Sequence, residues 1–195
     1  KGLRFDAAYA QYPACTPSRA SFLTGLYPDQ IGVLNNNVDF RITAPNVVSL
    51  PQYFRENGYA TARVGKIFHY GVPNEIGTNG MDDPKAWDEV RNPKGIDTRK
   101  DVVERIETIY PAEDPAKGFG GVLSWLNLPS ADEEHTDGKV VQEAISLLSK
   151  YHPQKTGKPF FIGVGFFRPH TPFVAPSSYF DLYPLRDIEP VENPE

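Results

Sequence analysis

The chain has 195 residues, 39% hydrophobic and 23% charged, with a formal net charge of -5: an ordinary globular composition with enough apolar material for a core. The acidic balance argues against nucleic acid or a broad polyanion-docking face, so an anionic ligand has to be held by a local cluster of cations. One cysteine excludes an internal disulfide, and no apolar run reaches the ~20 residues of a membrane span.

In chain order, Phe5 to Tyr12 is predicted as a strand ended by Pro13. Pro17 to Thr24 is a short helix, with proline at its first position and Gly25 just past its end in a left-handed conformation. Ser49 to Gly58 is a second helix, capped by Ser49 and stopped by Gly58, with Leu50, Tyr53 and Phe54 on one apolar face. Ala60 to Val64 suits a strand. Residues 71–134, rich in Gly, Pro, Asp and Glu, form a loop-rich insertion, an excursion from the sheet with a helix over Thr98 to Ile109. Its size suits a lid or a substrate-shaping element, and Asp82-Asp83 within it reads as a solvated acidic turn. His135 to Tyr151 is the longest helix, with Val140, Val141, Ala144, Ile145, Leu147 and Leu148 as its apolar stripe. Pro159 to Phe166 is nearly all apolar and suits a strand buried on both faces. This alternation implies an α/β fold: a mostly parallel sheet flanked by helices.

Three segments carry chemistry. Cys15-Thr16-Pro17-Ser18-Arg19 puts the lone cysteine at a helix mouth, where free amides and the dipole attract anions and Arg19 adds a fork of donors. Gly65-Lys66-Ile67-Phe68-His69 follows a predicted strand, and residues at strand ends face the binding crevice of such sheets. Lys66 and His69 are three apart, so a turn puts both on one side. Phe166-Phe167-Arg168-Pro169-His170-Thr171-Pro172-Phe173 follows the other strand, with prolines holding the loop extended around His170. A thiolate phosphatase loop needs Cys-x5-Arg, whereas Arg19 stands four residues after Cys15. A Cys–His pair using His69 or His170 stays open but has no local signature. The bland alternative is a free core cysteine beside a surface arginine.

The set Cys15, Pro17, Ser18, Arg19, Thr24 and Gly25 resembles the signature of the type I, formylglycine-dependent sulfatases. Gly65-Lys66-x-x-His69 and Pro169-His170 follow in that family's order, and Leu50 to Tyr59 with Arg168 to Phe173 look most like its iduronate-2-sulfatase branch. The resemblance implies an alkaline-phosphatase-like sulfatase fold, with residues 1–195 as a central part lacking the N-terminal metal-binding strand and the C-terminal portion. It implies a sulfuric ester hydrolase acting on a sulfated saccharide, a 2-O-sulfated uronic acid of a glycosaminoglycan. Cys15 would be the formylglycine precursor and, once converted, a metal ligand; Arg19 would steady it. Lys66 and His170 would contact sulfate, and His69 would bond the diol. Arg168 joins them as a candidate substrate ligand.

The implied cofactor is Ca²⁺, with Mg²⁺ as an alternative, its other ligands lying outside this chain. The implied partners are the formylglycine-generating enzyme and the rest of the sulfatase chain, in a periplasmic, secreted or lysosome-like location. This piece alone is expected to bind metal poorly and turn over little. A phosphonate or phosphate monoester hydrolase shares the cysteine motif, and a non-catalytic anion-binding piece with Cys15 unconverted is the third reading.

Overall fold

The computed structural model describes residues 2–109 and 123–189. Its elements are α1 (Cys15–Thr24), α2 (Phe40–Thr43), α3 (Leu50–Glu56), β1 (Ala60–Gly65), β2 (Glu89–Arg91), α4 (Lys100–Val103), β3 (Glu107–Thr108), β4 (Ser124–Leu128), α5 (Thr136–Lys150), α6 (Pro153–Thr156), β5 (Phe160–Gly165), β6 (Phe173–Pro176) and α7 (Ser177–Phe180). The main sheet has the order β2-β1-β5. β1 pairs in parallel with both neighbours, running from Ala60 opposite Phe160 to Gly65 opposite Gly165. A smaller sheet has the order β3-β4-β6, antiparallel at β3 and parallel at β6.

Central position explains the composition of β1: Thr61 to Gly65 are all buried, as parallel strands covered on both faces must be. Helix α5 lays Val140, Ala144 and Leu147 into a cluster with Ala62, Val64, Tyr70, Val72, Ile76 and Phe167. Val140 and Leu147 are fully buried, each contributing about 1.5–3 kcal/mol over an exposed position. A second cluster joins Ala20 and Leu23 of α1 to Ile31, Val33, Phe40, Phe68, Ala86 and Trp87. The first core holds β1 against α5, and the second holds α1 against the segment after β1 through Phe68.

Several expectations change. Phe5 to Tyr12 is not a strand; no ladder partner stands beside it among the described residues, and Phe5 and Tyr9 are exposed. On α3, Leu50 and Tyr53 face solvent while Pro51 and Gln52 are buried, because polar anchors at Ser49 and Gln52 dock the helix. On α5 only one flank of the stripe is used; Val141, Ile145 and Leu148 stay exposed. β5 has β1 as its one neighbour among the described residues, so it is half-buried and Val164 is exposed.

The insertion is no simple excursion either. Its β2 returns to the main sheet, and Thr98 to Ile109 divides into short α4 and β3 instead of one helix. Part of that expected insertion, residues 110–122, lies outside the described residues. Asp82-Asp83 is the reverse of a solvated turn. Asp82 pairs with Arg63 at 2.6 Å and accepts from Trp87 Nε1 at 3.0 Å. Asp83, fully buried, pairs with Arg41 and accepts from Ser49 Oγ at 2.6 Å. Buried carboxylates of this kind persist only when paired.

Candidate active site

Because β1 and β5 run in parallel and in register, their following segments leave the sheet at the same end, the usual place for a crevice. Lys66 begins one segment and the loop to His170 the other. Two facing glycines bring them together. Gly65 has φ +71°, and a Cβ there would lie 2.1 Å from Gly165 O. A Cβ on Gly165 would lie 1.9 Å from Lys66 O. Only glycine allows that approach, which Lys66 N–H closes with a 2.8 Å bond to Gly165 O.

Cys15 is the first residue of α1, half-buried. One turn on, Arg19 Nη1 donates to Lys66 O at 3.2 Å and Ile67 O at 2.8 Å, which ties α1 to the segment after β1. The thiol meets His170 and His69, whose hydrogen bonds hold its pKa down to about 5, with Lys66 adding charge and burial opposing. Lys66 itself is 2% exposed. Burial pulls its ammonium down to about 8 against the attraction of Cys15, so at neutral pH it still carries its charge. His170 Nδ1 lies 2.6 Å from Thr171 O. A carbonyl only accepts, so Nδ1 carries the hydrogen and Nε2 is the nitrogen left for the site.

Among the described residues carbonyl oxygens, and no carboxylate, brace Arg19, and no carboxylate forms an ion pair with Lys66. Three other arginines, Arg63 buried and two partly so, behave differently. Arg41, Arg63 and Arg168 each pair with an aspartate: Asp83, Asp82 and Asp97. Neither cation has an ion-paired acid among the described residues, although Glu75 lies within electrostatic reach of Lys66, and beside a nucleophile position they make a seat for an anion.

The fold thus gathers Cys15, Arg19, Lys66, His69 and His170 and turns Arg168 elsewhere. Arg168 Nη2 donates to Asp97 at 3.1 Å and Nη1 to His170 O at 3.3 Å. The helix mouth differs from expectation too. Thr16 N–H is taken by Asn36 Oδ1 at 3.0 Å, Ser18 N–H by Ala14 O at 3.1 Å, and Pro17 has none. The positive field therefore comes from side chains more than from free amides. Nor is the His170 loop extended: it turns, with His170 N–H donating to Phe167 O at 3.0 Å. Asn36, Asp97 and Asp137 support the site from outside the three sequence segments. Their only sequence signal was a polar residue near a helix start.

An oxygen-bearing group at position 15 fits these surroundings. His69 Nδ1 is buried with no hydrogen-bond partner, and the position lies in reach of both imidazoles and of the Lys66 charge. A divalent metal does not fit this chain alone. Calcium takes about six to eight oxygen ligands, whereas no group of three His, Cys, Asp or Glu gathers for one among the described residues and Cys15 is ringed by cations and imidazoles. No described helix is long and apolar enough to cross a membrane.

Comparison with known proteins adds the following. A family model described as Sulfatase matches residues 1–189. Iduronate 2-sulfatase of Homo sapiens is 36% identical over 99% of this chain and 33% of its own length. A protein named Sulfatase from Formosa agariphila is 29% identical over 96% of this chain and 36% of its own length. The solved structure of Ps i-CgsB in complex with k-i-k-neocarrahexaose has a TM-score of 0.56 at 19% identity, covering 95% of this chain and 40% of that one; the likeness is one of fold. The chain spans about a third of the length of the curated relatives it matches.

Proposed function

The chain belongs to the sulfatase family, and from that premise we propose that it is the central part of a catalytic domain that hydrolyses sulfate esters of a sugar. The observation that carries this is a buried Lys66 and a half-buried Arg19 beside Cys15, neither with an ion-paired carboxylate among the described residues. Sulfatases generally use a formylglycine and a divalent metal. The finer substrate, a 2-O-sulfated uronic acid of a glycosaminoglycan, rests on the similarity to iduronate 2-sulfatases of human and mouse. Calcium or magnesium would take its oxygen ligands from outside this chain. A periplasmic, secreted or lysosome-like setting, and a converting enzyme as partner, belong to the same reading.

A hydrated formylglycine at position 15 supplies one hydroxyl to attack sulfur and a second whose deprotonation releases sulfate. The residues of this chain do the rest. Lys66 holds a sulfate oxygen and offsets the charge that gathers there in the transition state. Arg19 braces Lys66 through its carbonyl and lends a second positive charge. His69 directs a ring nitrogen at the group on position 15. His170 presents Nε2 either to a sulfate oxygen or, protonated, to the departing alcohol, a proton transfer worth about 10²–10⁴-fold.

A phosphate monoester would meet the same cations, so the test uses both esters. The full-length protein is assayed with an aryl sulfate and an aryl phosphate, and the peptide bearing residue 15 is weighed. The proposal expects sulfate turnover and a peptide about 18 Da lighter than its cysteine form. Turnover of phosphate alone favours the phosphohydrolase. An unconverted Cys15 with neither activity leaves an anion-binding piece.

A further inference from the structure

We propose that Arg168 is a positioning residue for His170, held in that role by Asp97 and Asp137, and not a ligand of the substrate. The inference rests on the reading above, in which His170 works on the group at position 15. Asp137, in the first turn of α5, accepts the amides of Phe167 and Arg168, each at 2.9 Å. The guanidinium of Arg168 then spans from Asp97 Oδ2 to the carbonyl of His170. The other oxygen of Asp97 takes both the amide and the hydroxyl of Thr136 at 2.7 Å. Gly95 N–H donates to that hydroxyl at 3.0 Å, and a Cβ on Gly95 would lie 2.2 Å from Thr136 N. The segment is pressed flat on the helix start.

These bonds tie the His170 loop to α5, and α5 is anchored by Val140, Ala144 and Leu147 in the core. Catalytic side chains need such a supporting shell to hold their geometry. Asp97 is nearly fully buried and offsets the charge that an anion would need from Arg168. Arg168 also lines a cavity of about 570 Å³ with Asp97, Asp132, Glu133 and Asp137, carboxylates that repel a sulfate. Among the described residues neither Lys66 nor Arg19 has an ion-paired carboxylate, although Glu75 lies within electrostatic reach of Lys66.

The test uses the full-length protein in two forms. With Cys15 unconverted, the rate of its alkylation by iodoacetamide at pH 5, near the midpoint of the thiol, reports the imidazole beside it, because loss of that contact lowers the thiolate fraction there. His170→Ala should slow alkylation about tenfold. Arg168→Ala should slow it by a similar factor, and the double variant should be no slower than either, because both changes remove one contact. Arg168→Lys, which keeps a charge for Asp97 but loses the fork, should fall between.

An unchanged rate in Arg168→Ala, or losses that multiply in the double variant, overturns the proposal. In the converted enzyme Arg168→Ala should lower kcat with KM unchanged; raised KM with intact kcat makes Arg168 a substrate ligand. If the converted wild type hydrolyses no sulfate ester, the functional reading fails while the alkylation series still decides the positioning role.

Discussion

Two parts of this molecule bury positive charge, and they do so in opposite ways. Around residues 82 and 83 each arginine has its acid. Arg63 pairs with Asp82 and also donates to Asn92 Oδ1 at 2.6 Å; Arg41 pairs with Asp83, which Ser49 bonds as well. Around residue 15, Lys66 and Arg19 lie against carbonyls, two imidazoles and a thiol, with no ion-pair acid among the described residues. Burial of a charge is costly unless a partner repays it. The first region therefore has its charges paired, with only Arg63 Nη2 lacking a hydrogen-bond partner among those arginine and aspartate groups, and works for the fold. The second carries a cost that an incoming anion would offset, which is how a binding site differs from a structural ion pair.

That contrast can be broken at several points. Cys15→Ala in the full-length protein should lower sulfate-ester turnover by on the order of 10³-fold or more, measured as kcat with an aryl sulfate. Arg63→Met should act on the fold and leave Asp82 buried without its partner, a loss of about 3–5 kcal/mol in urea unfolding; a loss confined to turnover would move Arg63 into the site. Gly165→Ala drives a methyl into Lys66 O and should cost about 1–3 kcal/mol, with turnover falling further than unfolding explains.

A further effect is one of pH. In the unconverted protein Cys15 is held near 5, against 9.0 for the ordinary thiol. Alkylation should rise through a midpoint near pH 5. Between those values the unfolded chain binds the proton that the folded chain has lost, so this group's stabilisation grows with pH and fades as pH falls through about 5. Cys15→Ser should flatten that slope in urea unfolding.

Much of the scaffold was legible in local pattern. Ser49 with Pro51 and Gly58 marked α3, and the alternation of β1, α5 and β5 marked a parallel sheet, because caps and periodicity act within a few residues. The motif segments stood out because cysteine, lysine and histidine were concentrated at strand and helix ends. What escaped was long-range pairing. Asp82 and Asp83 look like a solvated turn until Arg63 and Arg41, 19 and 42 residues away, fold onto them. Arg168 looked free for a substrate because Asp97 is 71 positions away. Helix α3 misled in the same manner: Leu50 and Tyr53 have helical spacing, but the anchors at Ser49 and Gln52 turned them outward.

The most direct test replaces the buried ammonium itself. Lys66→Met in the full-length protein keeps the volume and removes the charge, so aryl sulfate turnover should drop by about 10²–10³-fold while resistance to urea stays equal or rises. Turnover that survives the change, with stability lost instead, would mean that Lys66 is one more structural cation and that no anion seat exists beside residue 15.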